Sequence, residues 1–305
     1  MKTPRILVIR GGAIGDFVMT LPAVGALRER WPDAHIEILG YPHIIELARG
    51  RHYADAIRSI EAKPMAGFFV PNGILDPTLM EYFGSFNVVI SYIFDPDEIL
   101  SDNIRRCGVK QYIRASPRPK ELPAAQHYCE PLESLAIYVN APQPRLYPND
   151  DDRAAAGKFL AKLGRERIAG IHPGSGSEKK NWPVEKFAAL ARWVVDELAM
   201  QLLVVQGEAD ERVVAAFLEL LEDRPVTLAK GLRVPELAAV VQRCALFVGN
   251  DSGITHIAAA VETPTVAVFG PVSSPVWQPV GERVRVVEFG EQDVAAVRRA
   301  VEELV

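Results

Sequence analysis

Short apolar runs, each followed by a longer amphipathic segment, recur along nearly the whole chain, and this alternation constrains the fold more than any other feature. Runs at 5–10, 35–40, 87–93 and 109–114 read as strands. Segments at 17–30, 43–49, 97–106 and 127–139 read as helices, the last with Leu132, Leu135, Ala136 and Val139 on one face. Strands that are apolar without a break are buried on both sides, and strands alternating with helices build parallel sheets covered by helices. Pro142, Pro144 and Pro148 with three successive aspartates then break the pattern. Proline blocks helix and ladder pairing alike, so 140–152 reads as a linker. Beyond it the alternation restarts, with strands at 168–172, 201–206, 245–249 and 265–270 and helices at 184–199, 210–221, 234–243, 254–261 and 293–304. The expected class is α/β, with Rossmann-like domains at 1–142 and 143–305 and a last helix free to pack back on the first. A length of 305 residues agrees, at roughly 150 residues per domain.

Composition narrows the function. With 34 basic against 39 acidic residues the chain lacks the basic excess of a nucleic-acid binder, so no nucleic-acid partner is expected. No stretch approaches a membrane span, and the N-terminus has too short an apolar run for a secretory signal. Cys107, Cys129 and Cys244 have no metal spacing, and an odd, sparse count fits a reducing cytoplasm.

Ligands of such sheets bind beyond the carboxyl ends of the strands, so the loops after strands are where chemistry belongs. The first strand runs into Arg10-Gly11-Gly12-Ala13-Ile14-Gly15-Asp16 before a helix. Gly12 and Gly15 let an anion or sugar approach backbone N–H groups. Asp16 reads either as an N-cap or as a general base at the mouth of a cleft. The strand at 168–172 leads into residues 173–183, where Ser175, Gly176 and Lys180 read as a phosphate cradle or as a solvated loop. The strand at 245–249 leads into Asp251, Ser252, Gly253 and His256, a helix start that would hold a phosphate or simply be capped. Glu208 and Asp210 follow another strand and would bond ribose hydroxyls or cap a helix. Asp95 and Asp97 would hold a divalent metal or end a strand. No histidine makes a zinc-like spacing with another His or Cys. The acid-free run 105–120, with Arg105, Arg106, Lys110, Arg114, Arg118 and Lys120, reads as a solvated face or as a surface for an anionic acceptor or membrane headgroups.

Three blocks together resemble glycosyltransferase family 9, the ADP-heptose:lipopolysaccharide heptosyltransferase family. They are Gly15-Asp16-Phe17-Val18-Met19-Thr20-Leu21-Pro22; His172-Pro173-Gly174-Ser175 with Lys180-Asn181-Trp182-Pro183; and Asp251-Ser252-Gly253-Ile254-Thr255-His256, with Phe269-Gly270-Pro271 beyond it. The resemblance implies a GT-B fold, two Rossmann-like domains facing each other across a cleft, with acceptor on the first and nucleotide-sugar on the second. It implies inverting, metal-independent transfer without a cofactor. The donor would be ADP-heptose and the acceptor a lipopolysaccharide core, another glycolipid or an oligosaccharide. Asp16 then stands as the base; Gly12 and Gly15, from the loop that lets a sugar approach the backbone, and Arg114, from the basic run, are placed on the acceptor side. Lys180 stands at the donor phosphates, and Ser175, Gly176, Asp251, Ser252, Gly253 and His256 contact the donor. Glu208 or Asp210 falls at the ribose. The chain departs from some members in having Ser175 and Gly176 where they carry threonines. A GT-B nucleotide-sugar epimerase and a non-catalytic glycan-binding protein are the alternatives. The expected location is the cytoplasm, with peripheral contact at the inner membrane.

Overall fold

Parallel strand pairing organises each half of the chain. The computed structural model describes residues 3–121, 123–163, 167–288, 290 and 293–305, with the backbone alone at Glu208 and Asp293. Two compact units, Met1–Pro142 and Gln143–Val305, divide it.

The first unit runs β1 (Arg5–Arg10), α1 (Ile14–Arg30), β2 (His35–Gly40), α2 (Pro42–Ile45), β3 (Ala56–Ser59), α3 (Pro77–Gly84), β4 (Val88–Ser91), α4 (Ile99–Arg105), β5 (Gln111–Arg114) and α5 (Ala124–Cys129). Its strands lie in the order β3-β2-β1-β4-β5, all parallel. The winding reverses between β1 and β4, which opens a crevice at their carboxyl ends. Leu7, Ile9, Leu39 and Val89 meet Phe68, Phe83 and Phe86 in its core.

The second unit runs α6 (Asp150–Leu160), β6 (Ile168–His172), α7 (Val184–Asp196), β7 (Gln201–Gln206), α8 (Glu211–Glu219), β8 (Val226–Lys230), α9 (Val234–Gln242), β9 (Leu246–Asn250), α10 (Gly253–Ala260), β10 (Thr265–Phe269), β11 (Val284–Glu288) and α11 (Asp293–Glu302). The strand order is β11-β10-β9-β6-β7-β8, again parallel. Every residue of β6, β9 and β10 is buried, as two-sided coverage demands. The reversal here falls between β6 and β9.

Two expectations need correction. The aspartates at 150–152 are not linker but the first turn of α6. Asn149 Oδ1 accepts the Asp152 N–H and Asp152 Oδ2 accepts the Asn149 N–H, each at 2.9 Å, and the negative charges suit the positive end of the helix. The helix expected at 127–139 stops at Cys129, because Pro131 lacks an N–H; a 3₁₀ stretch, Glu130–Leu135, follows, and Ala136 ends it at φ +55°. The last helix, α11, packs on α7, β10 and β11 of the second unit and buries Val297, Ala300 and Val301 in that unit's core.

Candidate active site

In the first crevice, β1 ends at Arg10, whose side chain turns inward and is only 2% exposed. A buried guanidinium needs a counter-charge and acceptors. Arg10 Nη2 donates to Asp16 Oδ1 at 3.0 Å and to the Tyr128 hydroxyl at 2.8 Å, and Nη1 donates to the Tyr92 carbonyl at 3.2 Å. The guanidinium carbon also lies 4.6 Å from the centre of the Tyr128 ring, a cation–π contact. Burial pushes the Tyr128 hydroxyl up to about 12 and raises Tyr92 well above the tyrosine range, so both stay neutral. Asp16 is thus not the N-cap. It is the third residue of α1, and its Oδ2 accepts the Ala13 N–H at 2.8 Å. These bonds and a further contact with the Tyr128 hydroxyl fix the carboxylate while its side chain keeps 26% exposure, which leaves lone pairs for an incoming hydroxyl. Gly12 is required twice over: its φ is +89°, and a Cβ there would stand 2.8 Å from Asp16 Oδ2. Gly15 lies in the first turn of α1.

In the second crevice, the loop after β6 and the start of α10 come together. Lys180 Nζ pairs with Asp251 Oδ2 at 2.8 Å, the lysine partly exposed and the aspartate buried. Ser252 is the N-cap of α10, its hydroxyl accepting the Thr255 N–H at 3.4 Å. Gly253 and Ile254 open the helix, where N–H groups have no intrahelical acceptor. A cation beside such N–H groups is a site for an anion. Gly176 is exposed with open space where a Cβ would point. Ser175, in contrast, turns inward. Its hydroxyl lies 2.7 Å from both the Ser177 carbonyl and Asn181 Oδ1, so it shapes the loop.

Two residues that pattern reasoning overlooked organise this crevice. His172, the last residue of β6 and 1% exposed, places Nε2 2.8 Å from Asp210 Oδ2 and Nδ1 3.1 Å from Ser252 Oγ. Asn250, the last residue of β9 and fully buried, donates through Nδ2 to the Pro173 and Gly174 carbonyls at 2.8 and 3.2 Å and accepts the Trp182 N–H at 2.8 Å. It ties both ends of the 173–182 loop to β9. Asn250→Ala removes all these bonds inside a buried site. It should cost roughly 2–4 kcal/mol and lower the melting midpoint by roughly 4–12 °C; a shift under about 2 °C by calorimetry would show that the loop is held otherwise.

Asp210, read as a ribose contact or a helix cap, faces His172. Its Oδ2 also accepts the Gly207 N–H at 3.0 Å, and Gly174 leaves no room for a Cβ beside Oδ1. Burial raises its pKa, but the His172 hydrogen bond and charge and the Gly207 N–H outweigh this and hold it below the usual carboxylate range. Glu208's side chain lies outside the described residues. His256 is buried within α10, its N–H donating to the Ser252 carbonyl at 3.3 Å. Asp95 caps α4, accepting from the Leu100 and Ser101 N–H groups and the Ser101 hydroxyl; among the described residues no acidic, His or Cys cluster suits a metal. The basic run is largely spent internally. Arg114 pairs with Glu98 at 2.8 Å, Arg105 with Glu98 and Asp102, and Arg118 lies over the Phe94 ring. Arg114 is therefore on the same sheet edge as Asp16 but already committed to Glu98.

Two Rossmann-like units in one chain, each with its loops gathered beyond the carboxyl ends of a parallel sheet, are the two halves of a GT-B fold. The model of glycosyltransferase family 9 (heptosyltransferase) matches residues 100–303. Lipopolysaccharide heptosyltransferase 2 of Escherichia coli (strain K12) is 27% identical over 318 residues, covering 93% of this chain and 88% of the relative. The crystal structure of a family 9 glycosyl transferase from Veillonella parvula DSM 2008 has a TM-score of 0.79 at 22% identity, covering 100% of this chain and 98% of that one. E. coli heptosyltransferase WaaC with ADP has a TM-score of 0.74 at 17% identity, covering 99% and 100%. The chain belongs to glycosyltransferase family 9, the heptosyltransferases.

Proposed function

We propose that the protein is an inverting, metal-independent enzyme that moves a heptose from ADP-heptose to a lipopolysaccharide core sugar or a related glycan. The observation that carries this reading is the Lys180–Asp251 pair beside the open N-terminus of α10. There the partly exposed Lys180 ammonium and the helix N–H groups would meet a leaving diphosphate without a metal or cofactor. The choice of donor and acceptor rests on the relatives, named as lipopolysaccharide heptosyltransferases and solved with ADP.

The chemistry follows from two demands. The acceptor hydroxyl attacks the anomeric carbon while its proton passes to Asp16. The bond from that carbon to the β-phosphate oxygen breaks on the opposite face, and the electron pair leaves with ADP. Lys180, the α10 N–H groups and the Ser252 hydroxyl meet the charge that grows there. One displacement inverts the configuration. Release of ADP from ADP-heptose only when a heptose-deficient lipopolysaccharide core is added tests the reading. Interconversion of the donor without acceptor would make the protein an epimerase, and no turnover at all would make it a glycan-binding protein.

The proposal places the enzyme in the cytoplasm, in peripheral contact with the inner membrane face. No helix among the described residues is long and apolar enough to cross a membrane. Peripheral contact is supported less by the internally paired basic run than by Phe69, Val70 and Ile74, which are 44%, 52% and 96% exposed. Asn103 Nδ2 holds the Phe68 and Val70 carbonyls and Arg106 holds that of Gly73, so the apolar tip is built into place. Ile74→Ser should weaken sedimentation with phosphatidylglycerol-containing vesicles by about threefold to tenfold; equal sedimentation of both proteins would remove this segment from the proposal.

A further inference from the structure

The Arg10 guanidinium is held by fewer bonds than its burial asks for. Its Nε is buried and has no hydrogen-bond acceptor among the described residues, so its placement rests on the two Nη atoms. The two hydrogens of Nη2 go to Asp16 Oδ1 and to the Tyr128 hydroxyl, at 3.0 and 2.8 Å. Asp16 and Tyr128 are thus oriented by one nitrogen, and a change at either is felt at the other. The Tyr128 hydroxyl has a single hydrogen of its own. It is donated to the Pro117 carbonyl at 2.9 Å, on the loop after β5, and the Asp16 carboxylate is a second acceptor within its reach. His127, the preceding residue of α5, holds the Ser116 carbonyl through Nε2 at 3.0 Å. Two successive side chains of α5 therefore grip two successive carbonyls of this loop, and Tyr128 carries the grip on to Arg10 and Asp16.

Packing does not account for the hydroxyl. The ring alone supplies the edge contact with Tyr92 at 5.6 Å and the cation–π contact with Arg10, both of which a phenylalanine would keep. The oxygen adds an acceptor for Arg10 and a tether to Pro117. We propose that Tyr128 is a positioning residue of sugar transfer, whose hydroxyl keeps the Arg10–Asp16 pair aligned with the loop after β5 so that the base meets the acceptor hydroxyl. The inference rests on the reading of Asp16 as the base. Without that oxygen one Nη2 hydrogen is left unsatisfied in a buried place. The guanidinium then turns to find another acceptor and draws the carboxylate with it. A displacement of about 1 Å at a reacting group is enough to cost about 10²-fold in rate.

Tyr128→Phe tests this, with ADP-heptose and heptose-deficient lipopolysaccharide core as substrates. Turnover at saturating acceptor should fall by about 10-fold to 100-fold, with ADP affinity and acceptor KM each within about a factor of two. Tyr82→Phe, which removes a half-buried hydroxyl bonded to Glu37 at 3.1 Å in the same unit, is the comparison for lost stability and should keep turnover within about twofold. A double variant separates positioning from a structural role. In the Asp16→Asn background, Tyr128→Phe should lower the residual turnover by less than about twofold, because its route to the chemistry is already cut. Effects that multiply in the double variant would show that Tyr128 acts apart from the base and overturn the proposal. So would a raised acceptor KM with turnover kept, an equal loss in Tyr82→Phe, or full turnover in Tyr128→Phe. Full turnover in Asp16→Asn would overturn the base reading itself, and this proposal with it.

Discussion

Asp16→Asn is expected to lower turnover by about 10³-fold while leaving ADP affinity within about a factor of two. The amide keeps one acceptor oxygen, enough for only one of the two bonds from Arg10 Nη2 and the Ala13 N–H, and it cannot accept the acceptor's proton. It also takes the counter-charge from Arg10, which is 2% exposed. A buried cation left unpaired costs stability, here roughly 1–3 kcal/mol because Asp16 itself is partly solvated. The variant must therefore be compared below its own melting transition, with ADP binding as the check that the second unit is intact. A loss of turnover that merely parallels unfolding would remove Asp16 from the chemistry. Turnover within about tenfold of the unmodified enzyme would do the same.

Lys180→Ala is expected to act on both binding and chemistry. In the proposed mechanism the ammonium sits against a diphosphate in the ground state and against a more negative one at the transition state. Turnover should fall by about 10²–10³-fold, and ADP affinity by a smaller factor, about threefold to tenfold, since the lysine is partly solvated and its ground-state attraction is screened. Lys180→Arg should recover part of the binding and less of the rate, because the planar guanidinium does not reproduce a compact point charge. An Asp251 carboxylate left without Lys180 faces the phosphate with its own negative charge, which adds to the loss in the alanine variant. Equal ADP affinity with full turnover would show that the charge at this position is not used.

What was legible in the sequence was what local pattern can carry. Continuous apolar runs marked β1, β6, β9 and β10, because strands covered on both faces have no polar side to show. Glycine and serine clusters marked the loops at Asp16, at 173–183 and at 251–256. The edge strands β3, β8 and β11 went unseen, since their residues are half exposed and their polar and apolar positions mix. The bonds that organise the second crevice were invisible for a different reason. His172 and Asn250 end buried strands, where they pass for the tail of an apolar run. Their partners lie 38 to 80 residues away, at Asp210, Trp182, Pro173, Gly174 and Ser252. A polar residue closing a buried strand is the signal that could have drawn attention to them, because such a group must find partners across the sheet edge. Asp210 was legible only as a ribose contact or a cap; the sheet order, which places β7 beside β6, brings it within reach of His172.

The account stands or falls on transfer itself. Purified protein incubated with ADP-heptose and heptose-deficient lipopolysaccharide core, in buffer containing a metal chelator, should yield a core enlarged by one heptose. The new linkage, read by nuclear magnetic resonance, should have an anomeric configuration opposite to that of the donor, and Asp16→Asn should give almost none of it. A product of retained configuration, transfer that stops when the chelator is added, or donor consumption without any enlarged core would contradict the account.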